Sequence, residues 1–127
     1  MDGSSGDATH PTWWVVCLCA AWCGVCNEWS PQFTEQARAH PAMRFAWVDV
    51  EDEDETMGDV DIETFPTLLV ARGDEVLYLA PIPPFARQFT RLIARLEAQP
   101  RPDPGVPRDA NALFARLRTD VLHRALV

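Results

Sequence analysis

Lysine is absent. All eleven basic side chains in the 127 residues are arginine, set against nineteen Asp and Glu, for a formal charge of −8. Positive charge is scarcest at the front: residues 1–65 carry thirteen acidic and two basic side chains, residues 66–127 six and nine. A protein that neutralises nucleic-acid phosphates needs a basic surface, so nucleic acid is not an expected partner. No apolar run approaches the roughly 20 residues of a membrane span, so no membrane partner is expected either. His10, His40 and His123 lie outside any motif, and there is no Ser-His-Asp arrangement, phosphate loop or nucleotide fingerprint. The first twelve residues are polar and acidic and lack the basic flank of an export signal, which makes the cytoplasm the expected location. Gly3-Ser4-Ser5-Gly6 reads as a flexible tail.

What is present suits one globular domain. The apolar share is 47%, too high for disorder, and a chain of this size buries a core without disulfide staples. Residues 13–19 (Trp-Trp-Val-Val-Cys-Leu-Cys) are apolar on both faces, as a central, doubly covered strand is. Residues 24–39 carry Val25, Trp29, Phe33 and Ala37 at fourfold spacing, which predicts a helix, with Pro31 expected to kink it. Strands are predicted at 44–50, 67–71 and 75–79, the last two joined at Gly73-Asp74 as a hairpin. The five consecutive acids at 51–55 predict an exposed loop or helix start, with selection of basic partners as the sharper alternative. Residues 85–98 again repeat as a helix.

The order β-α-β-β-β-α predicts an α/β fold with a mixed sheet flanked by helices. Residues 1–12 read as a tail, 13–99 as the domain, 100–108 as a stiff proline-rich linker, and 109–127 as an extra amphipathic helix. That helix has its stripe at Ala110, Leu113, Phe114, Leu117, Val121 and Ala125, and Asp109 as a capping candidate. Its apolar side is expected to pack on the domain itself, or else to serve as a homodimer or partner face.

All four cysteines fall within ten residues. In Trp22-Cys23-Gly24-Val25-Cys26 the two sulfurs sit three apart at the start of a predicted helix, on one face and close enough to bridge. The free N–H groups and dipole at a helix start favour the thiolate of Cys23, the form that attacks a disulfide. Cys26, one turn deeper, is suited to resolve the mixed disulfide. Gly24 leaves room for a substrate backbone. Pro66, in Phe65-Pro66-Thr67 at the start of a strand, would expose backbone groups to an extended substrate if its bond were cis. Cys17 and Cys19, two apart on a strand, share one face of it. They read as small core residues, or as accessory thiols of which one exchanges with Cys26. A metal is not expected, because the spacing lacks paired C-x2-C knuckles.

These residues resemble the thioredoxin family. The match is carried by Trp22-Cys23-Gly24-Val25-Cys26, Pro31 with Phe33, Val48-Asp49-Val50, Phe65-Pro66-Thr67-Leu68-Leu69 and the Gly73 turn, across about residues 13–98. The resemblance implies a minimal thioredoxin-like fold with a four-stranded sheet, and a protein disulfide oxidoreductase with Cys23 as nucleophile, Cys26 as resolving thiol and Pro66 as a cis-proline. Trp22, Gly24, Val25, Phe65, Pro66 and Thr67 would line the substrate groove. Expected partners are disulfide-containing proteins and an external reductant, with no cofactor. Some family features differ. Cys17 stands where the family has a buried Asp, Cys19 where it has a Trp, Val25 in place of Pro and Asn27 in place of Lys. The lysine expected near Trp47 is missing, and before Cys23 there is room for about one strand. The alternative reading is a binding, chaperone or redox-sensing module that docks through residues 109–127.

Overall fold

The computed structural model describes residues 11–127. Four strands form one sheet in the order β2-β1-β3-β4: β1 Trp13–Cys19, β2 Met43–Asp49, β3 Thr67–Arg72 and β4 Glu75–Pro81. β1 is central, parallel to β2 and antiparallel to β3, and β3 and β4 form an antiparallel hairpin. The parallel pair demands a crossover, supplied by α1, Gly24–Ala39, which runs on through Pro31. β4 reaches two residues beyond its predicted end because Pro81 pairs with Thr67.

The alternation along β1 divides the core. Val15, Cys17 and Cys19 join Cys26, Trp29 and Phe33 of α1, together with Phe89, Ile93 and Leu96 of α3, Ala86–Ala98. On the other face Trp14, Val16 and Leu18 meet Leu113, Phe114 and Leu117 of α4, Ala110–Asp120. A short helix α2, Asp54–Met57, emerges from the acidic run. It contributes Met57 to that second face.

The apolar stripe of α4 is therefore spent within the chain. Leu113, Phe114 and Leu117 are fully buried, each stabilising the fold by about 1.5–3 kcal/mol. It is not a free homodimer or docking face. After α4, a 3-10 turn at Leu122–Arg124 leads to residues 125–127, which lie along the edge of β2. Trp47 N–H donates to Ala125 O at 3.0 Å, and Val127 N–H to Phe45 O at 3.1 Å. The segment 100–108 crosses from one face of the sheet to the other. It is anchored rather than loose: Asp103 N–H donates to Leu77 O at 2.8 Å, and Val106 packs on the α4 side of the core. Asp109 occupies the N-cap of α4 but, contrary to expectation, makes no capping hydrogen bond with its side chain. The helix is held instead by Asn111, whose Oδ1 accepts from Val76 N–H at 2.8 Å.

Candidate active site

The reactive segment lies in the turn from β1 into α1. Cys23 is the N-cap of α1, with extended backbone (φ −82°, ψ 113°) and no capping bond from its side chain. It is half-buried and free. Its N–H donates to Ala20 O at 3.0 Å, which closes the turn. Asn27 donates through Nδ2 to Ala21 O at 3.2 Å. Gly24 is exposed, with no atom within 4 Å of the place a Cβ would take.

Cys26 is fully buried, and its sulfur is bonded to Cys19, not to Cys23. The expected Cys23–Cys26 bridge is thus not the pairing of this structure. The reason is directional: Cys19 and Cys26 both point into the layer between sheet and helix, with Cα atoms 6.1 Å apart. Cys23, at the helix start, is only half-buried and packs at the margin of that layer. Cys17 is free and fully buried, its Sγ 3.5 Å from that of Cys19. Burial pushes the Cys17 thiol up to about 12, and the Trp29 indole N–H offsets this only in part. That indole nitrogen is buried and meets no hydrogen-bond acceptor at normal geometry among the described residues. Among the described residues, no three His, Cys, Asp or Glu side chains group as metal ligands.

Around Cys23 lies an apolar surface. Trp22 is 66% exposed and Val25 45% exposed. The Trp22 ring meets Phe65 edge-on at 5.7 Å between centroids. The Phe65–Pro66 peptide bond is cis. Pro66 O accepts from Ile82 N–H at 3.1 Å, whereas among the described residues no hydrogen bond reaches the Phe65 backbone. Thr67 does not join this surface: it is buried, and its hydroxyl donates to Thr64 O at 2.6 Å. Of the predicted site residues, Trp22 and Phe65 therefore meet, and Trp22 and Val25 are exposed on either side of Cys23 in the chain. Pro66 is buried behind its cis bond to Phe65, and Thr67 closes the turn.

Two further residues, Asp49 and Glu51, organise the site without having been candidate site residues. The Asp49 carboxylate accepts from Ala21 N–H at 2.8 Å through Oδ2, and from the N–H groups of Glu51 and Asp52 at 2.9 and 3.2 Å through Oδ1. It ties the cysteine turn to the acidic loop. Glu51 accepts from Trp22 Nε1–H at 2.8 Å and fixes the exposed indole. An Asp at a strand end before a polar run is a recognised signal for such a turn. Nothing in the sequence marked Glu51 among five acids.

Trp22 and Phe65 form one side of a groove of about 340 Å³, whose other wall is the loop carrying Glu51, Asp54, Gly58, Asp61 and Glu63. That loop is held from α4 and the 3-10 turn after it. Arg116 donates to Thr56 O at 2.8 Å and Met57 O at 3.1 Å, and Arg124 makes a two-pronged pair with Glu53 at 2.8 and 3.0 Å. Gly58 has φ +62°, and a Cβ there would come within 3.2 Å of the Arg116 guanidinium.

Comparison with known proteins bears on the family and the fold. The thioredoxin family model matches residues 8–80. A thioredoxin of Geodia cydonium is 33% identical over 63 residues, covering 50% of this chain and 59% of that protein. Putative thioredoxin 2 of Streptomyces coelicolor is 32% identical over 62 residues, covering 49% and 46%. The chain thus spans about half the length of these curated relatives. In fold it is similar to the thioredoxin of Fasciola hepatica, with a TM-score of 0.61 over 72% of this chain and 88% of that one at 22% identity.

Proposed function

The chain belongs to the thioredoxin family, and on that premise we propose that it is a thiol–disulfide oxidoreductase that reduces or exchanges disulfides in other proteins. One observation carries the reading. A free, half-buried Cys23 caps a 16-residue helix, beside the exposed Trp22 and with Cys26 three residues further into the same helix. The Cys23 thiolate attacks a substrate disulfide and forms a mixed disulfide. Cys26, when its thiol is free, displaces the reduced substrate and leaves a Cys23–Cys26 bond, which an external reductant opens. Trp22, Gly24 and Val25 with Phe65 offer an apolar seat for the substrate chain, and the free backbone groups of Phe65 suit pairing with an extended segment. The acidic groove wall favours basic substrates over acidic ones. The cysteines are the redox groups this reading uses, without a cofactor, and the reducing cytoplasm is the compartment that suits it.

Insulin reduction with a thiol donor, comparing wild type with Cys23→Ser, tests the proposal. Wild type is expected to accelerate reduction and the variant not to. Equal rates would remove the reductase reading.

A further inference from the structure

Cys26 has two cysteines within reach, and the structure bonds it to the one in the core. We propose that Cys19 is a third redox-active cysteine of this site, exchanging with Cys23 for the sulfur of Cys26. The proposal rests on the thiol–disulfide reading above and adds a residue to it.

The step balances within the chain. Starting from the Cys19–Cys26 disulfide, the Cys23 thiolate attacks Cys26 Sγ. The Cys23–Cys26 bond forms, the Cys19–Cys26 bond breaks, and Cys19 leaves as a thiolate. Cys19 then takes up one proton, equal to the one Cys23 released to solvent. One disulfide and two free thiols stand on each side, so no outside oxidant or reductant is consumed. The reverse step returns the bridge to the core.

The surroundings of Cys19 suit a leaving sulfur. A buried thiolate with no donor is costly. Here Cys17 Sγ lies 3.5 Å away, and because bridged Cys19 has no hydrogen, Cys17 is the donor. That donor is already in place when Cys19 leaves, and burial keeps it protonated at neutral pH. Behind Cys17 stands the otherwise unpartnered N–H of Trp29. Cys17 and Trp29 thus prepare the site for a buried sulfur to depart.

The arrangement also sets the route of entry. Cys19 and Cys26 have no exposed surface, so an external thiol reaches their bridge through Cys23. While the bridge stands, Cys23 is a lone thiol, and a mixed disulfide formed on it has no resolving partner. The Cys19–Cys26 state is therefore a holding state, and the Cys23–Cys26 state is the one that turns over.

Disulfide mapping on the full chain tests this. Protein oxidised with diamide is quenched in acid, alkylated and digested. Wild type is expected to give both Cys23–Cys26 and Cys19–Cys26 peptides. Cys23→Ser, or wild type with Cys23 alkylated beforehand, is expected to give the Cys19–Cys26 peptide, with Cys17 as its free cysteine. In folded Cys23→Ser that bridge should also be reduced by dithiothreitol roughly tenfold or more slowly than in wild type, because reduction then waits for local opening. The proposal is overturned if wild type yields the Cys23–Cys26 peptide alone, if Cys23→Ser oxidises only to mixed or intermolecular disulfides, or if dithiothreitol opens both bridges equally fast. The wild-type mapping needs no variant to fold. Failure of insulin reduction with both peptides present would count against the reductase reading, not against the exchange; the reverse result would count against the exchange alone.

Discussion

Leu126 pairs with Ala46 in an antiparallel bridge at the outer edge of β2. That pairing ends a carboxy-terminal wrap in which α4 covers one face of the sheet and the residues after it cover one edge. An uncovered edge offers unpaired N–H and C=O groups, and an uncovered face leaves Trp14, Val16 and Leu18 in water. The wrap is thus part of the domain, and its removal should undo the domain.

Phe114→Ala is accordingly expected to destabilise the chain by about 3–5 kcal/mol, read as a lower urea midpoint. Deleting residues 109–127 should abolish the cooperative unfolding transition. A deletion variant with an unchanged transition would show that the wrap contributes nothing to folding.

Glu51 positions Trp22, so losing the acceptor should affect binding more than chemistry. Glu51→Ala removes one hydrogen bond to an exposed indole, which is about 0.5–1.5 kcal/mol. The expected outcome in steady-state reduction of a protein disulfide is a KM raised about two- to tenfold with kcat retained. Trp22→Phe, which keeps a ring but has no N–H, should behave similarly. A fall in kcat at constant KM would contradict the positioning role.

The Arg124 guanidinium, through its hydrogen bonds to Glu53, holds that carboxyl below its ordinary 4.5. A depressed acid stabilises the fold above the ordinary value and loses that contribution as pH falls through the folded value. Both partners are at least partly exposed, so screening keeps the effect modest. Arg124→Ala should therefore be less stable than wild type at neutral pH, and the gap should close on acidification below the usual carboxylate range. Urea midpoints against pH measure it, and a gap that persists in acid would assign the effect to packing.

Cys17 has the opposite sign at the other end of the scale. Its thiol rises from 9.0 to about 12 in the fold because burial disfavours the thiolate. The contribution is complete below 9.0 and is lost as pH rises from there towards about 12. With Cys23 alkylated to prevent exchange, Cys17→Val should gain stability relative to wild type across that window. Tyr78, whose phenol burial also raises, shifts both proteins alike. Parallel midpoints through the window would show that Cys17 ionises no less readily folded than unfolded.

Much of the frame was legible because its signals are local. β1 reads as a covered strand since none of its seven residues is polar, and α1 spans Gly24–Ala39 as its fourfold apolar repeat predicts. The position of Cys23 at a helix start and of Pro66 before a strand follows from the same patterns. Less legible were features that depend on residues far apart in the chain. Arg116 holding Thr56 and Met57 spans about sixty positions, and Asp49 bonding Ala21 spans 28. In each case the sequence offered many equivalent arginines or acids, and only folding selected one.

The absence of lysine and the uneven charge acquire their meaning from this contrast. The sequence by itself determined that four cysteines lie within ten residues, that one pair brackets a helix start, and that acid gathers in the same half. These follow from short-range spacing and alternation. Only the tertiary structure decided that arginines of the second half clamp the acidic loop, that α4 spends its apolar stripe within the chain, and that Cys26 bonds inward to Cys19. The physical reason is common to all three: which groups meet is decided by the direction in which packed elements point their side chains, and spacing along the chain does not specify that direction.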